Sequence, residues 1–348
     1  MQTVRIDEAE AGQRLDRYLR KLLREVPLGA IFRHLRTGRI RVNGKKAKPD
    51  LRLLAGMELT LRLNPTGGAA DGAAGGAPAG DGDADAPAAA AAPAPADAPT
   101  VRRRVRWRHG SPRIVHRDDH VLVVDKPAGM AVQPGSGQGD DHLVGWLLRT
   151  EPQLRTATFA PAPAHRLDRG TSGLCAIGLS PRGLRGLAAA FRDGTAHKVY
   201  LAVVHGVPPS RRGSIELPLR VLPDAEANGP KVEVGAAGLG AGAGADGDRE
   251  AGAEGDAAGW LPARTDYEVK GTRQDRALLR LVLHTGRTHQ IRAHLAHLGH
   301  PIVGDARYGS PVRLGRALLL HAAELVLPHP ITGQELRLWA PPPKAFDD

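Results

Sequence analysis

Cysteine is almost missing: the 348 residues contain one, Cys175, so neither an intramolecular disulfide framework nor a thiolate zinc cluster can form. Aromatic residues supply only 3% of the chain, and a core must therefore be built from Leu, Val, Ile and Ala. No apolar run approaches the roughly 20 residues of a membrane span. The opening MQTVRIDEAEAG lacks the basic region and apolar stretch of a secretory leader. A soluble, cytoplasmic protein with no membrane partner is expected. A P-loop lysine motif and the HExxH zinc signature are also absent.

What the chain does have is positive charge. The net charge is +11, yet residues 64–100 carry five Asp against no Lys or Arg, and residues 235–259 carry five acids against one Arg. Without those two stretches the charge rises to +20, a balance that suits an extended polyanion. A solvated surface in an arginine-rich chain is the plainer explanation of the same number. Both acidic stretches are Ala, Gly, Pro and Asp with almost nothing to bury, so each is expected to be disordered. The first reads as a linker between a domain at 1–63 and a larger one at 101–348, and the second as an insertion within the latter. A length of 348 residues accommodates two domains of ordinary size.

The first domain reads as small and α+β. Leu15, Leu19, Leu22 and Leu23 share one helical face, and Leu28, Ile31, Phe32 and Leu35 a second. Ile40 and Val42 lead into Asn43-Gly44, a type I′ hairpin signal because both residues tolerate positive φ. Met57, Leu59, Leu61 and Leu63 alternate as a closing strand. Residues 1–63 hold 15 basic and 7 acidic residues. Arg36, Arg39, Arg41, Lys45, Lys46 and Lys48 crowd one helix end and the hairpin, which favours phosphate contact over mere solubility. RLDRYL followed by IFRHLRTGRIRVNGKKAKPDLRL resembles the alpha-L RNA-binding domain, a likeness that implies RNA contact but no chemistry.

The larger region opens on a basic arm, Arg102 to Arg108, with Trp107 inside it. Strands are expected at 113–116, 120–126, 173–179, 198–206, 264–271, 277–284, 318–327 and 335–340, with helices over 142–149 and within 285–300. Few helices between runs of strands predict an α+β fold with a mixed, mostly antiparallel sheet, not a doubly wound one. Two segments concentrate chemistry. His165-Arg-Leu-Asp-Arg-Gly-Thr-Ser-Gly173 is a tight polar loop, and Asp168 could simply cap its amides. A hydrolase built on Ser172, His165 and Asp168 is a weaker alternative, because the G-x-S-x-G elbow is lacking. In the second segment, 285–300, Ile291, Leu295 and Leu298 mark a buried stripe, and His289 and Arg292 can share another face. His294, His297 and His300 invite a metal reading. No carboxylate sits among them, so hydrogen-bonded or solvated histidines are the better expectation.

Taken together, VLVVDKPAGMAVQPGSG, HRLDRGTSGL, HKVYLAVVHG and TGRTHQIRAHLAHLGHPIVGDARYG resemble the RluA family of pseudouridine synthases, in the family's order. The chain is most similar to the RluC subgroup, which acts on large-subunit ribosomal RNA. The resemblance implies an enzyme with no metal or nucleotide cofactor that converts uridines of large-subunit ribosomal RNA, or of its assembly intermediate, to pseudouridine. It implies Asp168 as the catalytic aspartate, Arg166 as the arginine filling the space left by an extruded base, and Tyr200 as the tyrosine stacked on the uracil and a candidate catalytic group for proton transfer. Arg292 becomes the basic partner of the carboxylate. Physical chemistry suits these types: a uridine in folded RNA must be extruded, and a guanidinium keeps an enclosed carboxylate ionised. Gly170 stands where the family frequently has an acid, and a looser loop is expected there. A monomer is expected. A non-catalytic RNA-binding or ribosome-assembly factor on the same scaffold is the competing reading.

Overall fold

A computed structural model describes residues 1–7, 10–63, 110–134, 141–222, 231–237 and 259–347. The linker at 64–100, the basic arm and nearly all of the 235–259 insertion fall outside the described residues. The N-terminal unit contains β1 (Gln2–Arg5), α1 (Leu15–Leu22), α2 (Leu28–Thr37), β2 (Ile40–Val42) and β3 (Glu58–Leu61), with strand order β1-β3-β2. Its core gathers Leu15, Tyr18, Leu19, Ile31, Leu35, Ile40, Leu53 and Leu59. Asn43 at φ 48° and Gly44 at φ 73° make the expected turn. Val42 and Lys45 exchange backbone hydrogen bonds of 2.9 Å across it. Expected burial fails at three positions: Ile31 and Leu35 are buried, whereas Leu28 and Phe32 on the same helix are 41% and 38% exposed, and Leu298, just past the helix at 290–297, is 40% exposed. The core of so small a unit is filled before α2 has turned far enough to bury all four.

The larger unit contains β4 (Arg113–Arg117), β5 (Val121–Lys126), α3 (Leu143–Thr150), β6 (Ala162–Pro163), β7 (Ser172–Gly178), α4 (Pro181–Arg192), β8 (His197–His205) and β9 (Arg212–Ile215). It continues through β10 (Leu219–Leu222), β11 (Lys231–Val234), β12 (Thr265–Arg273), β13 (Arg276–Leu283), α5 (Gln290–His297), β14 (Leu320–Pro328) and β15 (Glu335–Trp339). Ten strands form one mixed sheet, with β4-β5-β7-β14-β8-β13-β12-β9 in line, β15 beside β14 and β6 beside β7. Its pairs are antiparallel except β7 with β14. This is the α+β, mostly antiparallel architecture expected.

The sheet is covered on both faces, which explains why its central strands are apolar without alternation. On β5, Leu122 and Val124 pack with Leu143, Trp146 and Leu147 of α3 and Ile291 and Leu295 of α5. Val121 and Val123 pack the other way, with Leu187 and Ala190 of α4. Burying each such Leu or Val contributes about 1.5–3 kcal/mol. The helix α4 was not anticipated, nor were β1, β6, β9, β10 and β11. Among the described residues no helix is long and apolar enough to cross a membrane.

Candidate active site

The centre of the sheet positions the site. Gly173 of β7 lies opposite Ala322 of β14, and Ala322 lies opposite Tyr200 of β8. One lateral row therefore joins the end of the 164–171 loop to Tyr200 across two strand spacings, about 9.6 Å. Only glycine fits at 173: its φ is +109°, and a Cβ would stand 2.3 Å from the Ala322 carbonyl oxygen. Gly170 is equally constrained, because a Cβ there would meet Arg316 O at 2.8 Å and Leu318 Cγ at 2.7 Å. The glycine thus packs the loop tightly against 316–318 and does not loosen it as expected.

Along this loop the side chains part. Leu167 is buried, Arg166 is exposed, and the Asp168 carboxylate is 25% exposed. Arg292 reaches Asp168 from α5, its Nη1 donating to Oδ2 at 3.0 Å. Arg292 is itself clamped from the other side: its Nε and Nη2 donate to the two carboxylate oxygens of Asp305 at 2.6 and 2.9 Å. Its guanidinium carbon also lies 4.9 Å from the Tyr308 ring centre. Burial opposes the arginine's charge, but the carboxylates of Asp305 and Asp168 more than offset it, and the pKa rises above the ordinary value. Arg292 stays cationic at every relevant pH.

Beside this pair stands His289, at a left-handed φ of 51° that few non-glycine residues adopt. Its Nδ1 lies 3.1 Å from the Tyr308 hydroxyl, which accepts a hydrogen bond from the Val232 amide. The Tyr308 hydroxyl can in turn donate to Nδ1, an arrangement that puts the His289 proton on Nε2; that nitrogen lies 3.8 Å from Asp168 Oδ2. Burial lowers the His289 pKa, although Asp168 pulls it the other way, so the ring is neutral at physiological pH. Tyr200 is 6% exposed. Burial raises its hydroxyl pKa, and the Asp168 charge raises it further.

Lys126 supports the site from below. It ends β5 fully buried, and its Nζ donates to the carbonyls of Thr171 at 2.6 Å, Met130 at 2.8 Å and Pro127 at 3.1 Å, with Arg169 O at 3.4 Å. One ammonium ties the 127–130 turn to the loop that carries Asp168. Burial lowers its pKa to about 8, against the pull of Cys175, Asp168 and Asp125. Sequence reasoning assigned no role to Lys126, Asp305 or Tyr308, and placed His289 only on a shared face with Arg292. The available signals were a lysine closing an all-apolar strand, and the GDARYG segment.

The alternatives do not assemble. Ser172 Oγ pairs with His321 Nδ1 at 2.9 Å, and His165 Nε2 accepts from the Ala176 amide at 3.0 Å, so Ser172, His165 and Asp168 form no relay. His294 is committed to Thr265 Oγ1 at 3.0 Å and Leu217 O at 2.9 Å, and His300 Nδ1 to His205 O at 3.0 Å. These histidines fasten α5 and its end to the sheet.

On the small unit, Arg36, Arg39, Lys45, Lys46 and Lys48 are exposed around the end of α2 and the hairpin. Arg41 differs from them. Half-buried, it donates to Gly38 O at 3.1 Å and Gly44 O at 3.0 Å, and so braces the hairpin against the helix end.

Comparison with known proteins places this geometry in context. Residues 120–297 match the family described as RNA pseudouridylate synthase. A ribosomal large subunit pseudouridine synthase C of Escherichia coli (strain K12) is 33% identical over 97% of this chain and 92% of its own length. The protein of the same name from Vibrio cholerae is 30% identical over 98% of this chain and 93% of its own. Among solved structures, human RNA pseudouridylate synthase domain containing 1 aligns with a TM-score of 0.51 at 24% identity, covering 67% of this chain and 84% of that one. That likeness concerns the fold alone.

Proposed function

The chain belongs to the RluA family of RNA pseudouridine synthases, and from that premise we propose that it isomerises specific uridines of large-subunit ribosomal RNA, using Asp168 on a base extruded from the RNA. In such a reaction the N1–C1′ bond breaks, the uracil turns, and a C5–C1′ bond forms while C5 loses a proton and N1 gains one. Asp168 can serve by attack at C1′, by attack at the base, or by taking a proton from the sugar. Each route needs an ionised carboxylate.

The observation that carries this reading is the 3.0 Å contact between Arg292 and Asp168, with Arg292 held by Asp305 behind it. A carboxylate bound to a fixed cation and still 25% open is poised for substrate. Tyr200 would stack on the uracil, and the exposed Arg166, two residues before Asp168, would occupy the place vacated in the RNA. The basic surface of the small unit would hold the surrounding phosphates. We place the enzyme in the cytoplasm as a monomer acting on ribosomal RNA or its assembly intermediate. Base-resolution mapping of pseudouridine in ribosomal RNA, with and without the protein, tests the proposal. Sites that vanish with the protein and return with wild type but not with Asp168→Asn support it, and an unchanged large-subunit map rejects it.

A further inference from the structure

A groove of about 610 Å³ crosses the small unit, walled by Phe32, Arg33 and Arg36 of α2 on one side and Lys46, Lys48 and Pro49 on the other. Two features set it apart from a solvated basic face. Phe32 is 38% exposed, with Leu28 one turn away at 41%, although the chain has only four phenylalanines and buries most of its large apolar side chains. The lining also holds four cations and no carboxylate. At Gly29, which helps line the groove, an added Cβ would meet nothing within 4 Å, so one end stands open.

We propose that this groove binds one unpaired nucleotide of RNA, its base stacked on the Phe32 ring and its flanking phosphates on Arg33, Arg36, Lys46 and Lys48. The proposal rests on the reading of this unit as an RNA contact and adds the form of RNA it selects. Phosphates alone would account for the cations but not for the aromatic side chain left partly in water beside them. A duplex hides the faces of its bases and offers Phe32 nothing, whereas a looped-out or single-stranded base has a free face to stack. Such stacking is sequence-tolerant and contributes about 1–3 kcal/mol per base. The groove therefore acts as a reader of single-strandedness in the bound RNA.

The test titrates the full-length protein with a short oligouridine and with an RNA duplex of equal phosphate number. Phe32→Ala is expected to weaken the oligouridine about tenfold and the duplex within about twofold. Phe32→Trp should keep the single-strand affinity, and its fluorescence above the wild-type background should be quenched as oligouridine is added. Equal losses for both RNAs, or no loss together with no quenching, overturn the nucleotide site. Arg36→Ala and Lys46→Ala separate the two levels. If they weaken both RNAs while Phe32→Ala changes neither, only the nucleotide site fails, and if they too change nothing, the RNA reading of the unit fails with it. An indole signal that is already quenched in the RNA-free Phe32→Trp protein, and is released on shortening residues 66–98, would put the chain's own linker in the groove, which also overturns the proposal.

Discussion

Arg292 and Lys45 carry the same charge and are held in opposite ways. Arg292 is 8% exposed, gripped by two carboxylates and placed over an aromatic ring. Lys45 sits at the tip of a hairpin, exposed, with no acidic partner among the described residues. Lys126 is a third case, fully buried against carbonyl oxygens. Around Asp168 the cations Arg292 and Lys126 are fixed and their charge is already committed to the protein. Around the small unit's hairpin Arg39, Lys45, Lys46 and Lys48 are exposed to solvent and available. A buried ion pair is costly to break but specifies geometry, and an exposed cation specifies nothing yet attracts phosphate at long range. Substitutions of like charge should therefore act on turnover in one region and on salt-dependent affinity in the other.

The largest expected effect is at the open end of the fixed network. Asp168→Asn should lower turnover by about 10³-fold or more while RNA affinity stays nearly constant, since it changes one charge among many. Single-turnover assays at saturating RNA check it. Residual turnover near the wild-type rate would remove Asp168 from the chemistry. Next comes Arg292→Ala, which strands the buried Asp305 and frees Asp168. A stability loss of about 3–5 kcal/mol is expected from the broken buried pair, with turnover lost well beyond affinity. Arg292→Lys keeps the charge but not the fork that spans both carboxylates, so it should recover part of the stability and little of the turnover. Denaturant melts and kinetics on the same preparations separate the two.

Much of this network was legible in the sequence, and the missing parts have physical reasons. The apolar run 121–124 and the 198–204 run announced central strands, and the density of His, Arg, Asp, Thr and Ser at 165–172 announced the loop. The partner of Asp168 was legible as a residue type on α5. Asp305 was not, because nothing in the local pattern says that a turn 13 residues on folds back beneath the same guanidinium. Lys126 was hidden by habit: a lysine is expected at the surface, and only the convergence of carbonyls from two distant loops makes burial tolerable. Helix α4 went unseen because Gly183 and Gly186 dilute its pattern. Ser180-Pro181 announces its start, with Ser180 accepting from the Gly183 amide at 3.0 Å. Gly183 is needed for close packing, since a Cβ would stand 2.2 Å from the His120 carbonyl oxygen. On the small unit, the charge was legible and the exposure of Phe32 was not, because helical periodicity gives a face but not how much core is available to cover it.

Lys126 sharpens the comparison by pH. Lys126→Met leaves the Thr171 and Met130 carbonyls without their donor, a cost of about 2–3 kcal/mol. The folded-state pKa of Lys126 lies near 8, below the ordinary lysine value. Between about pH 8 and the ordinary value the unfolded chain binds a proton at this position that the folded protein does not, so this group's contribution to stability rises with pH across that window. The stability gap between wild type and Lys126→Met should therefore widen as pH is raised above about 8. A gap independent of pH would mean that the amine stays protonated in its carbonyl cage.

The smallest effect should come from the loosest charge. Lys45→Ala removes an exposed cation that lies outside the Phe32 groove and touches nothing acidic, so the fold and the reaction centre have no reason to respond. If Lys45 meets a phosphate, its loss releases about one fewer counterion, and the slope of log affinity against log salt should fall by about 0.7–0.9. Affinity at low salt should drop a few-fold, the difference should fade as salt is raised, and turnover at saturating RNA should be unchanged. Arg39→Ala should behave alike, and the double variant should add the two slopes because neither residue shares a partner with the other. Affinity measured across a salt series, beside single-turnover rates, decides the matter. An unchanged slope in the double variant would remove this hairpin from the RNA interface, and a fall in turnover at saturation would mean that the loose region also shapes the fixed one.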